Sequence, residues 1–265
     1  MPNTFLVSRL FLNTADKKAL ADFRKKVKRF LKLCLGLKGI DITVPVVFET
    51  LSYPVHDRAK TFAWLKKTFA KEIKIDPLKI ERGGLYANAL NQAIQHIVSH
   101  YPTDDKSRVL IFSPEVELNQ LIVDDLHKSL NKHGAKLAGL NIQGLSDLIL
   151  SGRIQNTAAM WNLDLLLNCG LFPLYTDGSA VGDKAIVYKN IELADNEEVA
   201  LLAVAGKKIT EPFIAIARPN DPVHWDVDLK SAWQQTKLKR KWIAGDCHLK
   251  LAGLKVDYLK NLIIK

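Results

Sequence analysis

Residues 113–117, Ser-Pro-Glu-Val-Glu, set a hydroxyl and two carboxylates where the apolar run Val109 to Phe112 stops. Oxygen ligands at the end of a buried strand suit a hard divalent cation, Mg or Mn, with a phosphate beside it. Read that way, Glu115 and Glu117 are the metal ligands and Ser113 is a phosphate contact. A second acidic pair, Glu197-Glu198, heads the apolar run Val199 to Ala205. On residue type alone it reads as a first-turn pair set against a helix dipole. Other chemistries find no footing. The cysteines, Cys34, Cys169 and Cys247, have no zinc spacing. Ser113 and the seven histidines form no nucleophile pattern. Gly83-Gly84 is too short for a Rossmann or phosphate-loop signature.

The elements that must position these groups alternate. Thr4 to Leu12 reads as a strand, and Asn13 to Asp16 as the cap of a helix reaching about Leu35. That helix puts Leu20, Phe23, Val27, Phe30, Leu31 and Cys34 on one face. Asp41 to Phe48 is a second strand, in which Pro45 argues for an edge position or a bulge. Helices over 54–72 and 85–99 flank a short strand at Leu78 to Ile80. Arg108 to Phe112 is a strand, Gln120 to His133 a helix, and Lys136 to Ile142 another strand. Further on, Arg153 to Asn162 reads as a strand, Leu163 to Cys169 and Glu197 to Ala205 as helices, and Phe213 to Ala217 as a last strand. This alternation predicts an α/β fold with a mainly parallel sheet flanked by helices. Ligands of such sheets sit outside the carboxyl ends of the strands. That rule brings Asn13, Glu49-Thr50 and Ser113-Pro114-Glu115 to one rim.

The chain has 265 residues, is 48% hydrophobic and carries a net charge of +10. It is long enough for one sizeable core, so disorder throughout is excluded. The positive charge is concentrated. Residues 17–38 hold nine lysines and arginines against Asp22, and the stretch from 230 onward is basic again. Two basic patches suit an anionic partner, such as a nucleotide, a nucleic acid or an acidic membrane surface, or else are solvated helix faces. The amino-terminal apolar run lacks a basic leader and a cleavage site, and no run approaches a spanning helix. The expected location is cytoplasmic, with peripheral membrane contact open.

Four segments, in order, carry a family likeness: GLYANALNQAI (84–94), RVLIFSPEVEL (108–118), NTAAMWNLDLLLNCGLF (156–172) and NEEVALLAVAGKKI (196–209). Together they resemble the GT-A fold of nucleotide-sugar glycosyltransferases, the large family 2 in particular, over residues 4–218. The resemblance implies transfer of a sugar from a nucleotide-diphosphate donor to a sugar or lipid-linked acceptor. It implies a divalent metal at an Asp-x-Asp motif, a base at the head of the later helix, and an Arg-Asn pair near the diphosphate. Carried over, Glu198 is the base with Glu197 beside it, Asn91 is the retained Asn, and Ser113 and Glu115 stand where the two aspartates would be. Asn13 and Glu49 join the nucleotide-binding rim. The chain departs from the pattern. Ser113 and Glu115 supply one negative charge in place of two, Leu90 replaces the Arg, and Ala203 replaces a frequent basic residue.

Residues 219–265 are expected to form a basic helical extension to a domain of residues 1–218. Trp233 and Trp242 interleave with Lys237, Lys239, Arg240 and Lys241. Three uses are open: an interfacial helix on anionic lipid, a nucleic-acid contact, or a segment docked on the domain with its lysines in water. RNA-recognition and helix-turn-helix signatures are absent, which makes nucleic acid the weakest of the three. Three functions follow: a glycosyltransferase, a non-catalytic binding protein on the same fold, or a membrane- or nucleic-acid-associated protein using its basic patches.

Overall fold

In the computed structural model, residues 2–10, 17–48, 58–80, 86–181, 187–189, 191–194, 196–217 and 222–264 are described. In chain order the elements are β1 (Thr4–Leu10), α1 (Lys17–Gly36), β2 (Ile42–Phe48), α2 (Arg58–Thr68), β3 (Leu78–Ile80), α3 (Ala87–His100), β4 (Arg108–Phe112), α4 (Gln120–Asn131), β5 (Leu137–Leu140), α5 (Ser146–Leu150), β6 (Ala158–Asn162), α6 (Leu163–Asn168), β7 (Val187–Tyr188), β8 (Ile191–Glu192), α7 (Glu197–Lys208), β9 (Ile214–Ala217), α8 (Ala232–Leu251) and α9 (Tyr258–Asn261). Seven strands form one sheet in the order β3-β2-β1-β4-β6-β5-β9, and β7-β8 is a separate hairpin. The main pairings are parallel except those of β6, which runs against both β4 and β5. That reversal matters for the site. It brings the amino end of β6 to the rim where its neighbours have their carboxyl ends.

The strands are apolar along nearly their whole length because helices cover both faces, so β1 and β4 show continuous burial instead of alternation. On one face, Phe30 of α1 stacks on Phe112 at 6.5 Å, and Arg108 binds His127 and Asn131 of α4. The parallel register Phe5↔Val109 puts Phe5, Val7 and Arg9 on the other face, where α3 lies. There Phe5 meets Tyr101 at 5.8 Å. Pro45 lies one strand in from the edge. Thr43, two residues before it, bonds toward residues 74 and 76. By alternation the N–H that Pro45 lacks faces the same side, ahead of Val46↔Leu78, where the β3 ladder begins.

The C-terminal stretch is fastened to this sheet. Val116 bridges Trp225, Ile142 bridges Val223, and Ile214 bridges Ile263 along the open side of β9. Leu249, Leu259 and Leu262 are buried. Gly152, at φ +81°, lets this contact close, since a Cβ there would stand 2.5 Å from the Leu259 carbonyl oxygen. Of the uses expected for the basic extension, docking on the domain is the one observed, although not all of its lysines face water. Among the described residues, no helix is long and apolar enough to cross a membrane.

Candidate active site

Arg9 is the one charged side chain of β1, TFLVSRL. It sits one residue from the strand's end, on the α3 face, with its guanidinium 4.1 Å over the Tyr86 ring. Tyr86 immediately precedes α3 and is fixed there by a buried carboxylate from far along the chain. Asp177 accepts from the backbone N–H groups of Tyr86, Ala87 and Asn88 at 2.8, 2.7 and 2.9 Å. The free donors at the start of α3 are thereby satisfied. Burial, with the Glu197 charge adding to it, raises the Asp177 carboxyl's pKa, and the three N–H bonds oppose that shift.

Across the cleft, α7 opens with the two glutamates. Glu198 is 0% and Glu197 3% exposed. Asn156, just before β6, clamps both. Its backbone N–H donates to Glu198 Oε1 at 3.2 Å, and its Nδ2 donates to Glu197 Oε1 at 3.3 Å. The Trp161 indole holds Asn156 in turn, donating to its Oδ1 at 3.0 Å. Asn196 takes up the left-handed backbone before α7 at φ 63°, a conformation that asparagine tolerates. Its side chain donates to the Lys241 carbonyl, tying α7 to α8.

From α8, Lys237 and Lys241 enter one helical turn apart. Lys241 Nζ donates to Gln155 Oε1 at 2.9 Å and lies 3.5 Å from Glu198 Oε1. Lys237 Nζ lies 5.9 Å from the Tyr86 ring and 5.0 Å from the Trp233 ring. Arg9 Nη1 is 4.0 Å from Glu197 Oε1. With Thr157, these side chains enclose a cleft of about 40 Å³. Its lining is two carboxyls, three cationic groups and few apolar atoms.

The two glutamates differ in proton affinity. Burial, then the adjacent Glu197 charge, pushes the Glu198 carboxyl up to about 7. Burial opposes the charge on Glu197 too, but Lys241 and Arg9 outweigh it and hold that carboxyl below its ordinary value. Two neighbouring carboxyls pushed apart in this way divide their roles: Glu197 stays charged, and Glu198 can take or give a proton near neutrality. Glu198 Oε2 is also buried with no hydrogen-bond partner, as is Arg9 Nη1.

The strand-end acids behave otherwise. Residues 115–117 pair with 224–226: the Asp226 N–H donates to the Glu115 carbonyl, the Glu117 N–H to the His224 carbonyl, and Val116 bridges Trp225. Val116 is buried at 4% exposure, so period-two alternation turns Glu115 and Glu117 outward, and both are exposed. Neither lines the cleft, and among the described residues no group of three His, Cys, Asp or Glu could hold a metal ion. The expected Mg or Mn ligand set is therefore not assembled from the described side chains. Ser113 follows β4, its N–H donating to the carbonyl of the cleft residue Thr157 at 2.9 Å and its Oγ accepting from the Glu115 N–H at 3.3 Å. The Asn91 amide is spent elsewhere. Its Nδ2 donates to the Phe172 carbonyl at 2.8 Å and its Oδ1 accepts from the Phe172 N–H at 3.0 Å, which pins the chain after α6 to α3. Leu90, in the place of the Arg, is a core residue at 0% exposure. Asn13 and Glu49 lie outside the described residues.

Sequence reasoning therefore brings Glu197 and Glu198 to the cleft and misses Arg9, Tyr86, Asp177, Lys237 and Lys241 as site residues. Two signals were present. One was a lone arginine in an otherwise uncharged strand, and the other was lysines four apart on a helix. Asp177 left no signal, because its partners are about ninety residues away.

No protein-family profile and no curated protein matches the sequence. Solved structures resemble its fold. S. aureus TarS 1-349 superposes on 97% of this chain and 68% of its own with a TM-score of 0.55, at 10% identity. A longer S. aureus TarS structure gives 0.53 at 11% identity, over 89% of this chain but 38% of that one. The likeness is one of fold: a GT-A-like α/β domain whose mostly parallel seven-stranded sheet is flanked by helices.

Proposed function

We propose that the protein is glycosyltransferase-like, holding a nucleotide-diphosphate sugar at the sheet's carboxyl rim with Glu198 as general base. The observation that carries this reading is the wholly buried Glu198, whose proton affinity is raised toward neutrality in a cleft otherwise rich in cations. Glu198 accepts the proton of the acceptor hydroxyl as that oxygen bonds to the sugar's anomeric carbon. The bond from that carbon to the diphosphate breaks, and the leaving oxygen keeps the electron pair. Asn156 and Lys241 orient the base, and Glu197 stays ionised between Lys241 and Arg9. The donor is a nucleotide sugar and the acceptor a sugar or lipid-linked hydroxyl. Among the described residues Glu115 and Glu117 face outward, and this reading routes no step through a metal.

A second reading has its own observation. Lys241 stands at Glu198 and the cleft holds only about 40 Å³, an arrangement that also suits binding without turnover. One experiment separates the two. Calorimetry with uridine and guanosine diphosphates is paired with release of nucleoside diphosphate from the matching nucleotide sugars in the presence of glycan acceptors. Binding with release that Glu198→Gln abolishes supports the transferase. Binding with no release supports the non-catalytic protein. No binding of either nucleotide overturns both.

A further inference from the structure

Two atoms of the cleft make an unusual pair. Arg9 Nη1 and Glu198 Oε2 are both buried and both without a hydrogen-bond partner. Such atoms are costly unless something meets them. Both residues line the same small cleft, one with a donor to offer and the other with an acceptor. Around them stand Lys237 and Lys241, so three cationic groups face two carboxyls, of which Glu198 is the more readily protonated. With both glutamates ionised the lining carries a net positive charge of one, and of two when Glu198 is protonated. At roughly 10–15 Å³ per water-sized group, a volume of about 40 Å³ accommodates a few oxygens, the size of one phosphoryl group.

We propose that Arg9, Lys237 and Lys241 form a metal-free binding site for a phosphoryl group of a diphosphate, two of its three cations being delivered by the C-terminal helix α8. Arg9 supplies planar N–H donors from β1, and the lysines supply charge from one turn of α8. Arg9 Nη1 donates to a phosphoryl oxygen, which satisfies a buried donor now without a hydrogen-bond partner. The separation of functions is physical. The strand-end acids that would otherwise recruit a cation face water, and charge compensation comes from side chains already inside the cleft. The assignment of this anion to a donor's leaving group rests on the glycosyltransferase-like reading, whereas the anion site itself does not.

The experiment is calorimetry of the full chain with inorganic pyrophosphate, and separately with uridine and guanosine diphosphates. Each titration is run in EDTA and again with excess Mn. The variants are Lys237→Ala with Lys241→Gln, which keeps a donor on Gln155, Arg9→Gln, and Glu115→Gln with Glu117→Gln. Thermal melts establish that each is folded. The site predicts pyrophosphate binding in EDTA that weakens as salt rises. It also predicts a loss of about ten-fold or more in the Lys and Arg variants, and unchanged affinity in the Glu115/Glu117 variant. Pyrophosphate binding of that pattern without nucleotide binding keeps the anion site and discards the nucleotide-sugar reading. Nucleotide binding that needs Mn and is lost on changing Glu115 and Glu117 overturns the metal-free site while leaving the transferase reading intact. Absence of pyrophosphate binding in EDTA, or binding indifferent to the Lys and Arg variants, also overturns it.

Discussion

Among the described residues, the acidic pairs Glu115/Glu117 and Glu197/Glu198 are treated in opposite ways by the tertiary structure. Glu115 and Glu117 straddle a buried valine in an extended segment, so both point to water. Glu197 and Glu198 begin a helix, sit side by side under α8 and are nearly sealed from solvent. Each pair is made of the same residue type, yet one is surface charge and the other a coupled titrating unit. Backbone geometry makes the difference. Alternate residues of a strand share a face, and when the residue between them is the buried one, both acids are lost to the site. At a helix start, the first two side chains can both meet a partner that closes over the end.

The sharpest way to break this comparison is to neutralise one member of each pair. Glu198→Gln should cut any transfer activity by about 100-fold or more, as expected for loss of a general base, whereas Glu115→Gln should leave turnover within about two-fold. Equal losses in the two variants would dissolve the distinction drawn here. The next largest effect is on stability. Lys241→Ala removes the ammonium group that Glu197 and Glu198 share, and breaking a buried ion pair should cost about 3 kcal/mol in chemical denaturation. A change near zero would show that the carboxyl pair needs no cation from α8.

Gly152→Ala tests the docking that brings those lysines in. The Cβ would meet the Leu259 backbone at 2.5 Å in a left-handed conformation, so a loss of about 2 kcal/mol is expected. Hydrogen exchange should rise in 232–264 before it rises in β1 or β4, and uniform protection would argue against separate docking.

The pH dependence distinguishes the pairs more finely. Glu198 has a folded pKa of about 7, above its ordinary 4.5. Between those values the native state holds more protons than the unfolded chain, so its contribution to stability falls as pH rises through that window. Glu197, shifted the other way, adds stability as pH rises toward 4.5 from below. Glu198→Gln should flatten the decline between about pH 4.5 and 7, and an unaltered slope would place the titration elsewhere. Transfer should rise over the same range as the base ionises. The smallest effect is the last: Glu115→Gln and Glu117→Gln should each change stability by no more than about 0.5 kcal/mol.

Much of the architecture was written locally. Arg108–Phe112 and Leu78–Ile80 coincide with the strands expected of them, and the apolar stripe of α1 supplies the buried Val27, Phe30, Leu31 and Cys34. Hydrophobic period and helix stops are properties of neighbouring residues, which is why they were legible. The reversal of β6 was not, because strand direction depends on which distant segment it meets. Asn91 shows the limit within the site. Its type and position matched a phosphate-handling motif, but its amide is consumed by the Phe172 backbone eighty-one residues away.

By itself the sequence determined the alternation of strands and helices, the mainly parallel sheet and the presence of an acidic pair at the head of a late helix. Side-chain periodicity and helix-start chemistry act over a few residues and survive without the rest of the chain. Only the tertiary structure decided which acids are buried side by side at a cleft and which are exposed. It also folded the basic C-terminal helix over the rim, so that Lys237 and Lys241 belong to the site and not to the surface. Burial and charge pairing are long-range quantities. They arise when Arg9, Asn156, Glu197, Glu198 and Lys241, scattered through the chain, come together around one largely buried cleft.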